Sequence, residues 1–261
     1  MFEWTEEQIG AWVGMHLWPL FRISSFMMTT PILGTQIVPA RVRLALSLLM
    51  TILIVPSLPP VPEVDPLSVN SVAIIIQQVL IGLAMGFAVL LLFQLFVVTG
   101  QIVAMNMGLG FASMVDPTNG ITVTALSQFY LMLVTLLFLS MGGHLVMFEA
   151  VVESFRFLPI SAQEVDVWSW WYLASRISWM FASALMIALP AVTALLIVNI
   201  SFGVMTRAAP QMNIFSIGFP MTVLFGLVVF WISIGGILPQ FTVLSENTFD
   251  FMQVMLQPPP P

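Results

Sequence analysis

The chain has 261 residues, 59% of them hydrophobic and 7% charged, with a formal net charge of −6. Soluble domains carry roughly 25% charged residues, so this composition and a mean hydropathy of +1.05 exclude an ordinary water-facing surface and, with it, a soluble enzyme. All six basic residues are arginines and cysteine is absent, which removes a basic nucleic-acid patch, disulfides and thiolate chemistry.

The N-terminus, Met1-Phe2-Glu3-Trp4-Thr5-Glu6-Glu7, is acidic where a cleavable signal is basic, so the first apolar segment is expected to be retained. A membrane-spanning helix needs about 20 mostly apolar residues. The first such run extends from Ile9 to Thr30, is interrupted by Arg22, and ends at Pro31 and Gly34. Arg41 and Arg43 precede a second run, from Leu44 to Leu58, and five prolines with Glu63 and Asp65 make 56–66 a loop. No charge occurs from Leu67 to Val115, which predicts a long helix from Val72 to Ala104 followed by a glycine-rich apolar stretch. Asp116-Pro117-Thr118-Asn119-Gly120 is a strong turn signal. A fourth segment covers Thr122 to Phe148.

The stretch from Glu149 to Asp166 is the most polar of the chain and reads as a loop, followed by Trp168, Trp170, Trp171 and Tyr172, an aromatic cluster suited to a membrane–water interface. A fifth segment runs from Ser175 to Met205 with Pro190 inside it. Arg207 to Phe219 reads as a polar-interrupted loop, Pro220 to Leu244 as the sixth segment, and the proline tail as disordered. The expected architecture is an all-α membrane protein of about six hydrophobic segments. Residues 1–250 form one integral-membrane domain and 251–261 a short tail. Arg41, Arg43 and Arg207 share one side under this topology, which should be cytoplasmic, with both termini outside.

No catalytic or metal-binding set is apparent. His16 and His144 are the only histidines and lie in different segments, and no phosphate-loop, zinc-protease or nucleophile-elbow pattern occurs. No cofactor is expected. Gly82-x-x-x-Gly86 lies on one helix face and permits close packing against another helix. Arg22 lies well inside an apolar run; burial against protein and snorkelling to the interface both suit it.

Two stretches are apolar yet rich in glycine and proline, Gly100 to Pro117 and Asn199 to Pro220. Irregular backbone at membrane depth survives only when buried in protein or lining a cavity. Met and Phe on a glycine-hinged segment suit a deformable constriction, and a helix end with a re-entrant turn is the plainer alternative.

These two stretches resemble the signature segments of the FliR/SctT/YscT family of type III secretion export-gate proteins, above all in Phe202-Gly203-Val204-Met205-Thr206-Arg207-Ala208-Ala209-Pro210-Gln211-Met212-Asn213-Ile214-Phe215. The resemblance extends over nearly the whole chain and is weakest in the 149–166 stretch and the tail. It implies kinked helical hairpins in a hetero-oligomeric gate with FliP-like and FliQ-like subunits, an associated FlhB-like subunit, and unfolded flagellar polypeptides as cargo. The implied location is the bacterial inner membrane at the flagellar basal body. It further implies that the stretch after the third segment plugs the channel, a role that falls on Met105, Met107, Gly108, Gly110, Phe111, Met114, Asp116 and Pro117. Arg207, with Pro210, Asn213 and Phe215, would form a subunit contact or face the cytoplasmic entrance; an arginine that only sets topology is the other reading. A secondary transporter for a small solute, also built from broken helices, is the alternative function.

Overall fold

The computed structural model describes residues 6–59, 68–111, 113–115, 122–161, 167–208 and 214–256. Among them eight helices follow in order: α1 (Glu6–Thr29), α2 (Ala40–Ile54), α3 (Val69–Asn106), α4 (Ala125–Ser140), α5 (Gly143–Phe157), α6 (Val167–Ala208), α7 (Ile214–Ile234) and α8 (Ile237–Leu256). Between α3 and α4, two three-residue strands, β1 (Ser113–Val115) and β2 (Thr122–Thr124), pair antiparallel with Met114 opposite Val123. The protein is an all-α membrane protein with this one small hairpin.

The six apolar segments map onto the eight helices because two of them bend. The fourth breaks by 70° between α4 and α5 at Met141–Gly142, where Gly142 takes a left-handed φ of 72°. The sixth breaks by 59° between α7 and α8 at Gly235–Gly236. Among the described residues, α2 with the turn after it, α3 and α6 are each long and apolar enough to cross a membrane, and the bent pairs raise the number to five. α1 is not among these; it carries Glu6, Glu7, His16 and Arg22.

Two expected loops are helical. From Glu149 to Phe157 the chain continues α5, because Met147, Val151, Ser154 and Phe155 recur on one buried face while Glu149 and Arg156 stay exposed. Of the expected loop from Arg207 to Phe219, Arg207 and Ala208 end α6, Ile214 to Phe219 begin α7, which passes through Pro220, and 209–213 lie outside the described residues. Without water to compete for freed carbonyls, such breakers are tolerated; Thr222 Oγ1 donates to Gly218 O at 2.9 Å in the same turn. α8 likewise continues to Leu256, and 257–261 lie outside the described residues.

The chain divides into two compact units. The first comprises residues 1–91, 141–176 and 247–261, the second 92–140 and 177–246. In the first, Trp18, Phe26 and Met27 of α1, Ile74 and Met85 of α3, and Met147 and Phe155 of α5 are fully buried. Gly82 and Gly86 bring α3 against α1: a Cβ at Gly82 would collide with Ser25 Oγ and Arg22 O, and one at Gly86 would lie 2.7 Å from Thr29 Cβ. In the second, Phe93 of α3 meets Phe138 of α4 edge-on at 5.3 Å, and Phe96 lies 5.9 Å from Phe241 of α8. Leu44, Leu48 and Leu53 of α2, Phe181 and Ile197 of α6, and Trp231 and Ile232 of α7 are large apolar residues left exposed. Their solvent is lipid or another subunit.

Candidate functional site

The expected constriction lies in the second unit, where α3 ends. Met107 N still reaches Val103 O at 3.0 Å, but Gly108 N bonds Met105 O at 3.2 Å and Gly108 adopts φ 81°. A left-handed residue ends a right-handed helix, and glycine adopts it without a Cβ clash. A 3-10 turn, Leu109–Phe111, follows and leads into β1.

Met107 is fully buried. Its side chain fills the space a Cβ would need on Gly226 of α7, with Cγ 2.5 Å and Cε 2.7 Å from that position. Two turns earlier in α7 the ring of Phe219 lies 3.2 Å from where a Cβ on Gly108 would stand. Met105 is exposed, with its sulfur folded over Gly110, 2.5 Å from the corresponding Cβ position. The segment leaves α3 through side-chain-on-glycine contacts, which flexible methionines suit.

Its return is built differently. Gly100 of α3 sits so near the start of α4 that a Cβ there would be 2.6 Å from Ser127 Cα. Thr124 caps α4 by accepting from Ser127 N at 3.2 Å. Thr124 and Ser127 are buried and their hydroxyls lie 2.9 Å apart. Each hydroxyl has one proton: Ser127 donates to Val97 O at 2.8 Å, so Thr124 donates to Ser127. Gln101 Oε1 accepts from Thr124 N at 3.4 Å.

The structure brings Met105, Met107, Gly108 and Gly110 together. Phe111 ends the 3-10 turn and Met114 lies in β1, paired with Val123; Asp116 and Pro117 fall outside the described residues. Arg207 is exposed in the last turn of α6, where a positive charge suits the carbonyl end of a helix. Phe215 lies in the first turn of α7, and Pro210 and Asn213 are outside the described residues.

Arg22 belongs to the first unit and is fully buried. Its Nε donates to Gln78 Oε1 at 2.7 Å, Nη1 to Ser154 Oγ at 3.2 Å and Nη2 to Leu158 O at 2.9 Å. The guanidinium carbon lies 4.2 Å from the centre of the Phe155 ring. None of these partners is a carboxylate. The charge is held by neutral acceptors and a ring face, tying α1 to α3 and α5.

Gly226 and the Thr124–Ser127–Gln101 cluster were not apparent in the sequence, while Gly100 and Phe219 fell within the two singled-out stretches without a role of their own. Gly100, near the end of an otherwise continuous apolar helix, is the one with a readable signal.

The family described as bacterial export proteins, family 1, matches residues 13–248. The flagellar biosynthetic protein FliR of Escherichia coli K12 is 36% identical over 249 residues, covering 95% of this chain and 94% of that one. FliR of Pectobacterium carotovorum is 36% identical over 238 residues, covering 91% and 89%. FliR of Aquifex aeolicus is 31% identical over 240 residues, covering 90% and 89%. A largely helical, apolar chain matched over residues 13–248 in this way belongs to the family of bacterial export proteins that contains the FliR flagellar biosynthetic proteins.

Proposed function

We propose that this chain is a non-enzymatic subunit of the flagellar type III export gate. It joins FliP-like and FliQ-like subunits in the bacterial inner membrane at the flagellar base, with an FlhB-like subunit alongside, to form the path for unfolded flagellar polypeptides. The observation that carries the reading is helix length. α3 and α6 have 38 and 42 residues, contours of about 57 and 63 Å at 1.5 Å per residue, against a hydrocarbon core of about 30 Å. Even at a tilt of about 40° a large apolar fraction of each lies beyond lipid. In α3 the chain's own helices already bury most of the apolar surface, whereas α6 is mostly exposed and needs covering by protein, which other gate subunits provide.

Within the gate, the segment from Met105 through Pro117 is the plug. It combines a left-handed glycine exit with methionine contacts, which block small solutes yet yield to a polypeptide. Arg207, Pro210, Asn213 and Phe215 form a subunit contact on the cytoplasmic side.

Co-expression with FliP-like and FliQ-like subunits should yield one large stable complex on purification. A self-sufficient monomer or homodimer that moves a small solute would overturn the proposal in favour of a transporter. In the assembled gate, deleting residues 108–114 should raise small-solute leakage at least several-fold. Unchanged leakage from an assembled deletion gate removes the plug role.

A further inference from the structure

We propose that Gly226 and Phe219 of α7 are the seat that holds the plug closed, and that export requires Met107 to leave this seat while the return of the segment stays fixed on α3. The inference rests on the plug reading above and names which residues of the same unit hold and release it.

The two ends of the segment are fastened by different chemistry. At the return end, the Gly100–Ser127 approach is backbone to backbone, and Thr124, Ser127, Gln101 and Val97 O are joined by directional hydrogen bonds among buried groups. Parting them strands buried polar atoms, which is strongly disfavoured. At the exit end, the fastening is a methionine lying on a glycine and a phenyl ring beside Gly108. These contacts are apolar and non-directional, and they leave no unpaired donor or acceptor when separated. Gly108 already sits at φ 81°, and a residue without Cβ passes between backbone regions with little steric barrier. Any force on the segment therefore acts first at the exit end: the Met107 side chain withdraws by its own torsions while its N–H stays on Val103 O, Gly108 is the hinge for the residues after it, and Thr124–Ser127 is the anchor.

Gly226 has a defined part in this. With any other residue there, the Met107 side chain loses its place, since Cγ would lie 2.5 Å from the new Cβ. Phe219, two turns before Gly226, stands beside the hinge Gly108 and is itself half exposed, at 54%. Its ring can swing aside without disturbing a core.

The test uses the complete gate with its partner subunits. The chain contains no cysteine, so a Met107→Cys/Gly226→Cys pair gives one possible intrachain bond. The thiol sulfur at position 107 takes roughly the place of Met107 Cγ, within reach of a disulfide, whose Cβ atoms lie about 3.5–4.5 Å apart. Mild oxidation should form the bond in the resting gate and lower export at least tenfold, and a reductant should restore it. The reduced double variant is the control for folding and assembly. Export that continues with the bond formed overturns the seat, as does failure of the bond to form in an assembled gate. A second arm needs no crosslink: Gly226→Ala should raise small-solute leakage several-fold, and adding Met107→Ala should raise it no further. Leakage at the parental level in an assembled Gly226→Ala gate also overturns the seat. The 108–114 deletion judges the seal separately. A deletion that does not leak, beside an oxidised pair that blocks export, removes the plug role and keeps the moving seat. A leaking deletion beside freely exporting oxidised gates does the reverse.

Discussion

At Gly82 and Gly86 the first unit sets one helix backbone on another, whereas at Gly226 the second unit sets a methionine side chain on a helix backbone. All three glycines fill the same geometric role, an absent Cβ that lets something approach. What approaches decides how much the contact can give. Arg22 O is part of a helix and cannot retreat without moving all of α1. Met107 has three side-chain torsions and can. The first unit is further tied by the Arg22 cluster, which joins α1 to α3 and α5. In the second, directional bonds hold the return of its methionine segment, while the exit is held by apolar contacts. Close packing therefore serves rigidity in one unit and a releasable contact in the other.

The largest expected effect sharpens that contrast with a single methyl group. Gly82→Ala should cost about 3 kcal/mol or more, at the upper end for overpacking, because backbone and a buried serine stand in the way. Gly226→Ala should cost about 1 kcal/mol, since Met107 can move aside. Thermal unfolding and the yield of assembled gate report both. Equal losses would erase the distinction between the two glycines.

Next in size is Arg22→Met. Removing the guanidinium leaves Gln78 Oε1 and Leu158 O without their donor. A loss of about 2–4 kcal/mol is expected. Adding Gln78→Leu should recover part of it, because the stranded amide goes too and its Nε2 already lacks a partner among the described residues. A double-mutant cycle on the melting midpoint measures the coupling. Strict additivity would mean that the cluster does not act as a unit.

The chain order of apolar segments was legible in the sequence, because hydropathy is local, whereas the break at Gly142 inside the fourth segment was not read from it. The stretch from Gly100 to Pro117 was legible as an oddity: apolar, glycine-rich and not good continuous helix. What escaped was set by residues far apart in the chain. Gln78, Ser154 and Leu158 meet Arg22 across separations of 56, 132 and 136 residues, and no local pattern marks a neutral acceptor for a buried arginine. Gly226 lies in a helix whose other residues are nearly all apolar, so nothing beside it signals a seat. The helices over 149–157 and 214–219 were missed because polar residues and Pro220 were read as they act in water. In an apolar surrounding, helix hydrogen bonds win over those local preferences.

A smaller effect probes the anchored end of the soft segment. Thr124→Val keeps the shape of the side chain and removes its oxygen, and with it the cap on Ser127 N and the bond to Ser127 Oγ. A loss of about 1–2 kcal/mol is expected, together with a rise in leakage if the return end is a true anchor. Lost stability with unchanged leakage would make Thr124 an ordinary helix cap.

The smallest effect belongs to a glycine with open space. Gly203 of α6 has nothing within 4 Å of its Cβ position, and it sits inside a helix, where alanine is favoured over glycine by about 1 kcal/mol. Gly203→Ala should therefore leave the melting midpoint of the isolated chain unchanged or raise it slightly. In the assembled gate the same methyl group tests something else. If α6 meets another subunit closely at this turn, assembly falls although the chain alone is no less stable, and Gly203 then joins Gly82 as a close-packing glycine whose partner is another chain. If assembly is unaffected, this face of α6 meets lipid or a loosely packed neighbour, and close glycine packing is confined to the contacts within each unit.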